Sequence, residues 1–326
     1  MKKHLLVAAG LSMLAMSKSG AQGGSNQCSG QAVQAQDACQ QAYDLYQFMA
    51  PQLGISLAGG NATLGQGTTL GGLGHFSIGV RANVIQGSLP EVDKFQQGFT
   101  GAQSRSLPTK DQVLGLPTAD AAIGIFKGIP LGLTNVGGID AIVSAAYVPT
   151  ITEGAFSVTP SSNWQFGYGA RLGLISESLV LPGVSLTYLQ RDLPKTTLAG
   201  TAGNNSLKVS DLTVKTKAIR VVASKSLLLF SFAAGVGRDT YEQAAQVTGT
   251  VSGVPIIGNA SATVSAAQDL DRTNVFFDAA LNLPLFKIVG EIGQVSGGTV
   301  NTFNTFASGR ADKSQQYFSL GLRLGL

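Results

Sequence analysis

Apolar residues occupy alternate positions along most of the chain after residue 70. In "HFSIGVRANV", residues 75–84, every second residue from Phe76 to Val84 is apolar, and the residues between them are small or polar. The stretch "NWQFGYGARLGL", residues 163–174, repeats the pattern. A period of two predicts strands with one apolar face. Further strands are predicted near 119–128, 136–148, 183–192, 206–222, 227–239, 272–283, 286–297 and 315–326.

The connections between these strands indicate a barrel rather than a soluble sandwich. Short connections near residues 284, 225, 180 and 130 alternate with long ones at 298–314, 240–271, 193–205, 149–163 and 88–118. Outer-membrane barrels combine tight periplasmic turns with long external loops. We therefore predict an all-β, antiparallel transmembrane outer-membrane barrel. Ten strands are expected, with an even count of 10 to 14, because the longest loops have room for hairpins such as "VTGTVSGVPIIGNASATVSA".

Composition supports this fold class. Only 12% of the residues are charged, against about 25% in soluble proteins, and 42 residues are Gly. Beyond the amino-terminal region, no stretch reaches the roughly 18 apolar residues that a membrane-spanning helix needs. Both features favour strands whose apolar positions are diluted by alternation.

The amino-terminal residues have the features of a secretory signal. Lys2 and Lys3 precede the apolar run "LLVAAGLSMLAM", and the small residues Ser19 and Ala21 follow it. This pattern predicts a signal peptide at 1–21 and export to the outer membrane. Its three lysines reduce the formal charge from +4 to 4 − 3 = +1 in the mature chain, which argues against a nucleic-acid partner.

A helix is predicted next, over residues 34–50, where Ala35, Ala38, Ala42 and Leu45 recur at helical spacing. Pro51 is expected to end it. The predicted division is an amino-terminal helical plug segment at 22–60, at or in the periplasmic mouth, and a barrel at 61–326. Residues 53–60 are either an additional strand or a tucked-in segment.

Cys28 and Cys39 are predicted to form a disulfide, because the chain is exported. In one continuous helix their Cα atoms would lie roughly 16 Å apart, beyond the roughly 7 Å that a disulfide allows. Residues 28–33 must therefore fold back over a helix that begins later. The alternative is two free thiols.

The last ten residues, "YFSLGLRLGL", resemble the terminal recognition strand of outer-membrane proteins, with Leu326 at the place usually held by Phe. The resemblance implies that the barrel-assembly machinery reads this strand. The proposed signal comprises Tyr317, Phe318, Leu320, Leu322, Leu324 and Leu326. Tyr317 is also expected in a lipid-facing aromatic girdle with Tyr147, Trp164 and Tyr188.

Charged residues share the predicted inner face of the barrel. The ligand candidates are Arg81, Arg171, Arg191, Asp278, Lys287, Glu291 and Arg323. Two interpretations stay open: these groups hold the carboxylate of an amphiphile or set ion selectivity, or they neutralise one another and stiffen the barrel. His75 is the single histidine beyond the signal, so we predict no metal site, no cofactor and no enzymatic activity.

Three stretches resemble barrels of the long-chain fatty-acid transporter type and a related, poorly characterised group. They are "PQLGISLAGGNATLGQG", "AAYVP" and "FGYGARLGLISESLVLPGVSLTYLQRD". The resemblance implies a barrel plugged by its amino-terminal segment, with hydrophobic molecules bound inside. The expected function is a channel or transporter for small hydrophobic or amphiphilic molecules in outer-membrane lipid. The alternative is a structural or surface-interaction barrel with a closed lumen.

Overall fold

The structure is a computed structural model that describes residues 24–325. The predicted signal peptide and Leu326 lie outside the described residues. A 3-10 turn, Val33–Ala35, leads into one long helix, α1, Gln36–Ala58, and a second 3-10 turn spans Val92–Lys94. No helix in the described range is long and apolar enough to cross a bilayer.

Ten long strands form the wall within the described residues. They are β1 Phe76–Pro90, β2 Thr109–Phe126, β3 Gly138–Tyr147, β4 Trp164–Ile175, β5 Gly183–Asp192, β6 Asn205–Leu227, β7 Phe230–Val254, β8 Gly258–Asn282, β9 Lys287–Val295 and β10 Gln315–Gly325. Seven shorter strands lie in the connections between the wall strands, at Ser106–Leu107, Ile129–Leu131, Thr134–Val136, Ile151–Glu153, Phe156–Pro160, Thr196–Ala202 and Thr305–Phe306.

The wall closes on itself. Consecutive wall strands pair antiparallel, β5 with β6 included, and β1 pairs with β10 from Ser77↔Gly325 to Ile85↔Tyr317. The barrel therefore has no open edge at its centre, as a membrane-embedded sheet requires. The predicted all-β antiparallel transmembrane barrel with an even strand count and an amino-terminal helix is confirmed. We call the end with short connections the turn rim and the opposite end the loop rim.

Strands β7 and β8 show where the apolar exterior ends. Towards the turn rim their outward side chains are apolar and exposed, as at Phe232, Val236 and Phe277. Towards the loop rim the outward positions carry hydroxyls, such as the Thr248–Thr263 pair, whose oxygens are 2.9 Å apart. The polarity reverses near the exposed ion pair Arg238–Asp271. The wall is thus apolar outside in one half and polar outside in the other.

This reversal corrects one prediction. Residues 240–271 were expected to form a loop, but β7 and β8 continue as a paired hairpin through Val254 and Gly258. The alternation persists there, with Val247 and Val251 buried inside and polar residues outside. The hairpin suggested for "VTGTVSGVPIIGNASATVSA" is present.

Helix α1 differs from its prediction in length and in place. It passes through Pro51 and ends at Ala58, and the Gln52 Nε2 amide donates to the Phe48 carbonyl oxygen (3.1 Å) in the turn that contains the proline. The free energy gained by burying the helix on nearly every side exceeds the free energy that Pro51 costs within the helix. The helix begins in the loop-rim half, where Gly249 packs against Ala38, whereas its predicted place was the rim with the short connections.

The chain then stays inside the barrel to about Leu70, becomes exposed at Leu73 and Gly74, and enters the wall at Phe76. We call residues 36–74 the plug: helix α1 followed by the glycine-rich luminal segment 59–74. The wall thus begins about fifteen residues after the predicted boundary at 60, because the segment 59–74 lacks the alternation of a strand.

The loop-rim half has an apolar core of its own. Helix α1 packs there against inward side chains of the extended strands and the loops, and the Phe48 ring stacks on Phe306 with centroids 4.1 Å apart. Cys28 and Cys39 form a disulfide with their Cα atoms 6.0 Å apart. As expected, residues 28–33 fold back before the helix begins.

The position of Tyr317 corrects a further prediction. Its side chain is fully buried, and its hydroxyl donates to Asn274 Oδ1 (2.8 Å) inside the barrel. Phe318 and Leu320 face outward instead, because successive residues of a strand point to opposite faces. Tyr147 and Trp164 do pair on the outer side, with ring centroids 5.0 Å apart.

Candidate functional site: the plug and the ring that holds it

The carboxyl end of helix α1 meets a ring of wall donors. Asn83 Nδ2 donates to the Ser56 carbonyl oxygen (2.7 Å), and Arg191 Nη1 donates to that of Ala58 (2.8 Å). Arg220 Nη2 reaches the same Ala58 oxygen at 3.4 Å. The last carbonyls of a helix lack partners within it and carry its partial negative charge. The ring therefore caps the helix with cationic and amide donors.

The ring arginines are paired with wall carboxylates. Asp120 lies between Arg81 (3.2 Å) and Arg191 (2.8 Å), and Asp239 accepts from both Nε and Nη2 of Arg220. All of these side chains are buried. Buried charges persist only when they are paired and hydrogen-bonded, and each of these arginines has a wall carboxylate as its partner.

Below the helix, carboxylates hold the luminal segment. Asp278 and Glu291 are cross-strand partners on β8 and β9. The Asn61 backbone N–H donates to Glu291 Oε2 (2.6 Å), and Asn61 Nδ2 donates to Asp278 Oδ2 (2.7 Å). Gly65 N–H also donates to Asp278 (2.9 Å). The plug is thus held by its backbone as well as by its side chains.

Two further arginines hold the lower part of the segment. Arg171 Nη1 donates to the Thr68 carbonyl oxygen (3.1 Å) and forms an ion pair with Asp140 (3.3 Å). Arg323 Nη1 donates to the Leu64 carbonyl oxygen (2.9 Å). Lys287 lies opposite Arg323 on the neighbouring strand, and its ammonium group makes no hydrogen bond or ion pair within residues 24–325.

Of the seven charged candidates chosen from the sequence, six therefore contact the plug: Arg81, Arg171, Arg191, Asp278, Glu291 and Arg323. A role in ligand binding stays a prediction for each of them. The candidate set missed Asn83, Arg220 and Asp239. The alternation of the strands indicates that these three side chains point into the barrel. Their contacts with the plug depend on where the helix ends, which the alternation does not encode.

Glycines let the plug and the wall approach each other closely. A Cβ on Gly60 would lie 2.4 Å from the Glu291 carboxylate, and one on Gly54 would lie 2.8 Å from the Tyr241 ring. On the wall, a Cβ on Gly138 would meet Thr69 Oγ1 at 2.6 Å. Real Cβ atoms do not approach this closely, so the glycines fix the depth at which the plug sits.

Little space remains around the ring. A cavity of about 10 Å³ lies between the plug and the wall near Thr63 and Arg81. Two much larger cavities, of about 490 and 440 Å³, are shallow depressions on the apolar outer wall near Leu320. The plug therefore occupies the bore at the level of the ring.

One acidic side chain of the plug lies among loop-rim groups outside the apolar belt. Asp44 accepts hydrogen bonds from the backbone N–H groups of Phe303 (3.1 Å) and Asn304 (2.8 Å), and from the Asn304 side chain (2.7 Å). Burial raises the pKa of Asp44 to about 6, and the bonds from Asn304 and Phe303 partly oppose the rise.

This raised pKa predicts a pH-dependent stability. The folded protein binds more protons at Asp44 than the unfolded chain between pH 3.8 and about 6. The contribution of Asp44 is therefore fully present below that window and is lost as the pH rises through about 6, by at most about 3 kcal/mol. Asp44→Asn should remove this slope. Thermal midpoints of the detergent-solubilised protein from pH 4 to 7 test it, and a constant difference between variant and wild type would contradict it.

Comparisons with known proteins place the chain among structural neighbours of low similarity. No protein-family model and no curated protein matches it. The toluene transporter TodX of Pseudomonas putida is 11% identical over 83% of this chain and 97% of that chain, with a TM-score of 0.34. The transport unit of the autotransporter AIDA-I of Escherichia coli is 6% identical, covering 89% and 99%, with a TM-score of 0.34.

A third neighbour is the outer-membrane channel DcaP of Acinetobacter baumannii, 11% identical over 79% of this chain and 99% of that chain, with a TM-score of 0.20. At these values the likenesses carry no argument about activity. The barrel itself is established by the strand pairing of this chain.

Proposed function

We propose that this protein is an outer-membrane channel closed by its own amino-terminal plug, and that it passes small hydrophobic or amphiphilic molecules. The proposal rests on one observation: the bore is filled by a segment of the chain that is separate from the wall strands. The wall supplies small residues where this plug sits, such as Gly138, Gly173 and Gly183. A permanently closed barrel could fill its lumen with the side chains of its own wall and would need no separate plug.

The apolar exterior supports a place in a bilayer. Exposed apolar side chains on several wall strands, such as Val143 on β3, Ile292 on β9 and Leu322 on β10, form a belt with few charges. A belt of this kind is typical of transmembrane barrels, whose partners are lipid and, during folding, the assembly machinery. The exported, mature protein would have its short turns at the periplasmic side.

The way the plug is held suits a closure that can be released. Along the luminal segment the plug backbone accepts hydrogen bonds from wall side chains, such as Arg323 to Leu64 and Asn274 to Gly59, and its apolar contacts are limited to small clusters around Ala62 and Leu64. Water or a polar solute can replace such bonds at small net cost. An apolar side chain that becomes exposed to water finds no comparable substitute for its packing.

One observation favours the second candidate, a structural barrel with a permanently closed lumen. Helix α1 buries Leu45, Phe48 and Met49 in the loop-rim core, and the disulfide links the residues before the helix to its first turns. In the proposed channel, the part of the plug that moves is therefore the luminal segment 59–74, below the helix.

A removable cross-link tests this assignment. A Cβ on the wall residue Gly173 would lie 3.5 Å from the Cβ of Thr69 in the luminal segment, within the range for a disulfide. In proteoliposomes, we expect the oxidised Thr69→Cys/Gly173→Cys variant to block flux of a small amphiphile. Reduction should restore the flux, and the single Thr69→Cys variant, which retains the native Cys28–Cys39 disulfide, is the matched control under the same treatment. Equal flux through the oxidised and reduced forms would contradict a moving segment, and no flux in any form would favour the structural barrel.

A further inference from the structure

The turns of the turn rim expose leucine side chains all the way around the barrel. Four short connections join wall strands at this rim, and each of them carries at least one exposed leucine. The luminal segment adds another where it reaches the wall. Single exposed apolar residues are normal on a protein surface, but a set that occupies every turn of one rim indicates a surface that is covered. The exposed fractions lie between 67% and 98% for Leu73, Leu131, Leu133, Leu179, Leu228 and Leu285.

These leucines continue the apolar belt of the outer wall. On β7 the outward side chains from Phe230 to Val236 are apolar, and the turn before them contains Leu228 with no polar outward residue between. On β9 the exposed Leu285 likewise precedes the outward Ile288. The exterior at this rim therefore stays apolar up to the point where the chain turns.

The belt needs these residues to reach the thickness of a bilayer. From Phe230 to the ion pair at Arg238, β7 covers roughly 20 Å along the barrel axis for strands tilted by about 40°. Transmembrane barrels have an apolar band about 25 Å tall. Counting from Leu228 instead extends the band to about 25 Å. The turn residues thus supply the part that the strands lack.

The aromatic residues mark only one edge of the belt. Tyr188 pairs with Ile219, and Ile219 pairs with Arg238, so this tyrosine lies in the row where the outer wall becomes polar. Tyr147 and Trp164 also lie at the loop-side ends of their strands. No outward Tyr or Trp lies at the turn rim within residues 24–325. Since such residues collect where a membrane meets water, that boundary is not at the turn-rim ends of the strands.

The backbone of the turns is also prepared for an environment without water. The Lys225 ammonium donates to the Leu179 carbonyl oxygen (3.0 Å) and to two further carbonyls of the same turn. Asn282 donates from Nδ2 to the Leu228 carbonyl (3.1 Å) and from its backbone N–H to that of Leu229 (2.7 Å). Carbonyls of an exposed turn can bond to water, whereas in lipid they need partners within the protein.

We propose that the turn rim is immersed in the adjoining lipid leaflet, where its leucines contact the acyl chains just below the head groups. The occupant is lipid, because the leucines are continuous with the lipid-facing belt and complete its thickness. The exposed Lys127 at the same rim has a side chain long enough to reach the phosphates of the head groups. The polar loop-rim half then stands entirely outside the opposite leaflet. This position in the bilayer holds whether or not the bore conducts.

The experiment measures the depth of a single tryptophan in vesicles. Trp164 is the only tryptophan in the chain, so Trp164→Phe gives a silent background. Leu228→Trp in this background reports from the turn rim, and Ile256→Trp at the loop-rim tip of the β7–β8 hairpin is the matched control. Both positions are fully or almost fully exposed, and both have a positive φ, of 51° and 75°. Leu179→Trp is a second probe of the turn rim.

The vesicles consist of phosphatidylcholine with or without bromine on the acyl chains close to the head group, and acrylamide is the quencher in water. We expect brominated lipid to remove most of the emission of Leu228→Trp and Leu179→Trp, while acrylamide quenches them weakly. The opposite is expected for Ile256→Trp. A heat-dependent shift in electrophoretic mobility checks that each variant is folded.

Two results would overturn the proposal. If acrylamide quenches the turn-rim probes as strongly as the Ile256→Trp control, the rim lies in water. If the turn-rim probes are shielded from both quenchers, and the shielding increases with the ratio of protein to lipid, a second copy of the chain covers the leucines instead of lipid. Neither result depends on flux through the bore, so the test is separate from that of the channel proposal.

Discussion

Arg191→Gln is expected to lower the free energy of unfolding by about 3–5 kcal/mol and to loosen the plug. Arg191 binds Asp120 (2.8 Å), Ser144 Oγ (2.8 Å) and the Ala58 carbonyl (2.8 Å) at once. Removing one partner of a buried pair leaves the other charge poorly compensated, which costs about that much. Chemical denaturation of the protein in detergent measures the loss, and protease cleavage near Ala58 measures the loosening.

The control for this variant is Arg238→Gln. Arg238 pairs with Asp271, but their side chains are 72% and 52% exposed. An exposed pair contributes at most about 1 kcal/mol, so the same chemical change should have little effect there. Equal losses in the two variants would show that the buried ring does not hold the plug.

Gly249→Ala is expected to displace the beginning of helix α1. A Cβ at this position would lie 2.2 Å from the Cys39 backbone nitrogen and 2.3 Å from the Ala38 carbonyl carbon. Neither is a flexible side-chain end, so the helix or the strand must move. Overpacking of this kind costs about 1–3 kcal/mol or more. The variant should unfold at a lower denaturant concentration and should lose protection of the helix against proteolysis.

Gly290→Ala is the matched control on the same wall. Gly290 faces outward, and a Cβ there would meet nothing within 4 Å. Its stability should stay within a few tenths of a kcal/mol of the wild type. If both glycine variants lose stability equally, the cause lies in the strands and not in contact with the plug.

The strands were predictable because each belt strand obeys one simple rule. A residue faces lipid or the lumen, so alternation reveals β4 and β10 and assigns Arg171 and Arg323 to the inside. Closure also followed from the alternating connection lengths. These features are local, so the sequence of each strand and of its connections is enough to predict them.

The plug and the loop-rim half were predicted less well, since they depend on contacts between distant segments. Thr248 and Thr250 face outward in a polar half whose inner face packs on helix α1, so the hairpin resembled a loop. Pro51 signals a helix end locally, but the surrounding barrel keeps the helix intact. The role of the ring could not be predicted without knowing that helix α1 ends beside it, at Ala58.

The plug and the ring together explain why so many charges lie inside a barrel with few charges overall. Asp120 and Asp239 neutralise the arginines, and the arginines present their remaining donors to the backbone of the plug. The lumen is thus organised around a segment of the chain itself. Any solute that passes must replace those bonds.

The most direct test of the closed bore is the conductance of a variant that lacks residues 24–74, which include the whole plug, compared with the full-length protein in planar bilayers. We expect long-lived conducting steps for the deletion variant and a closed full-length protein, with Gly290→Ala closed as well. A heat-dependent shift in electrophoretic mobility confirms that each barrel is folded. A folded deletion variant as closed as the full-length protein would show that the amino-terminal segment does not seal the lumen.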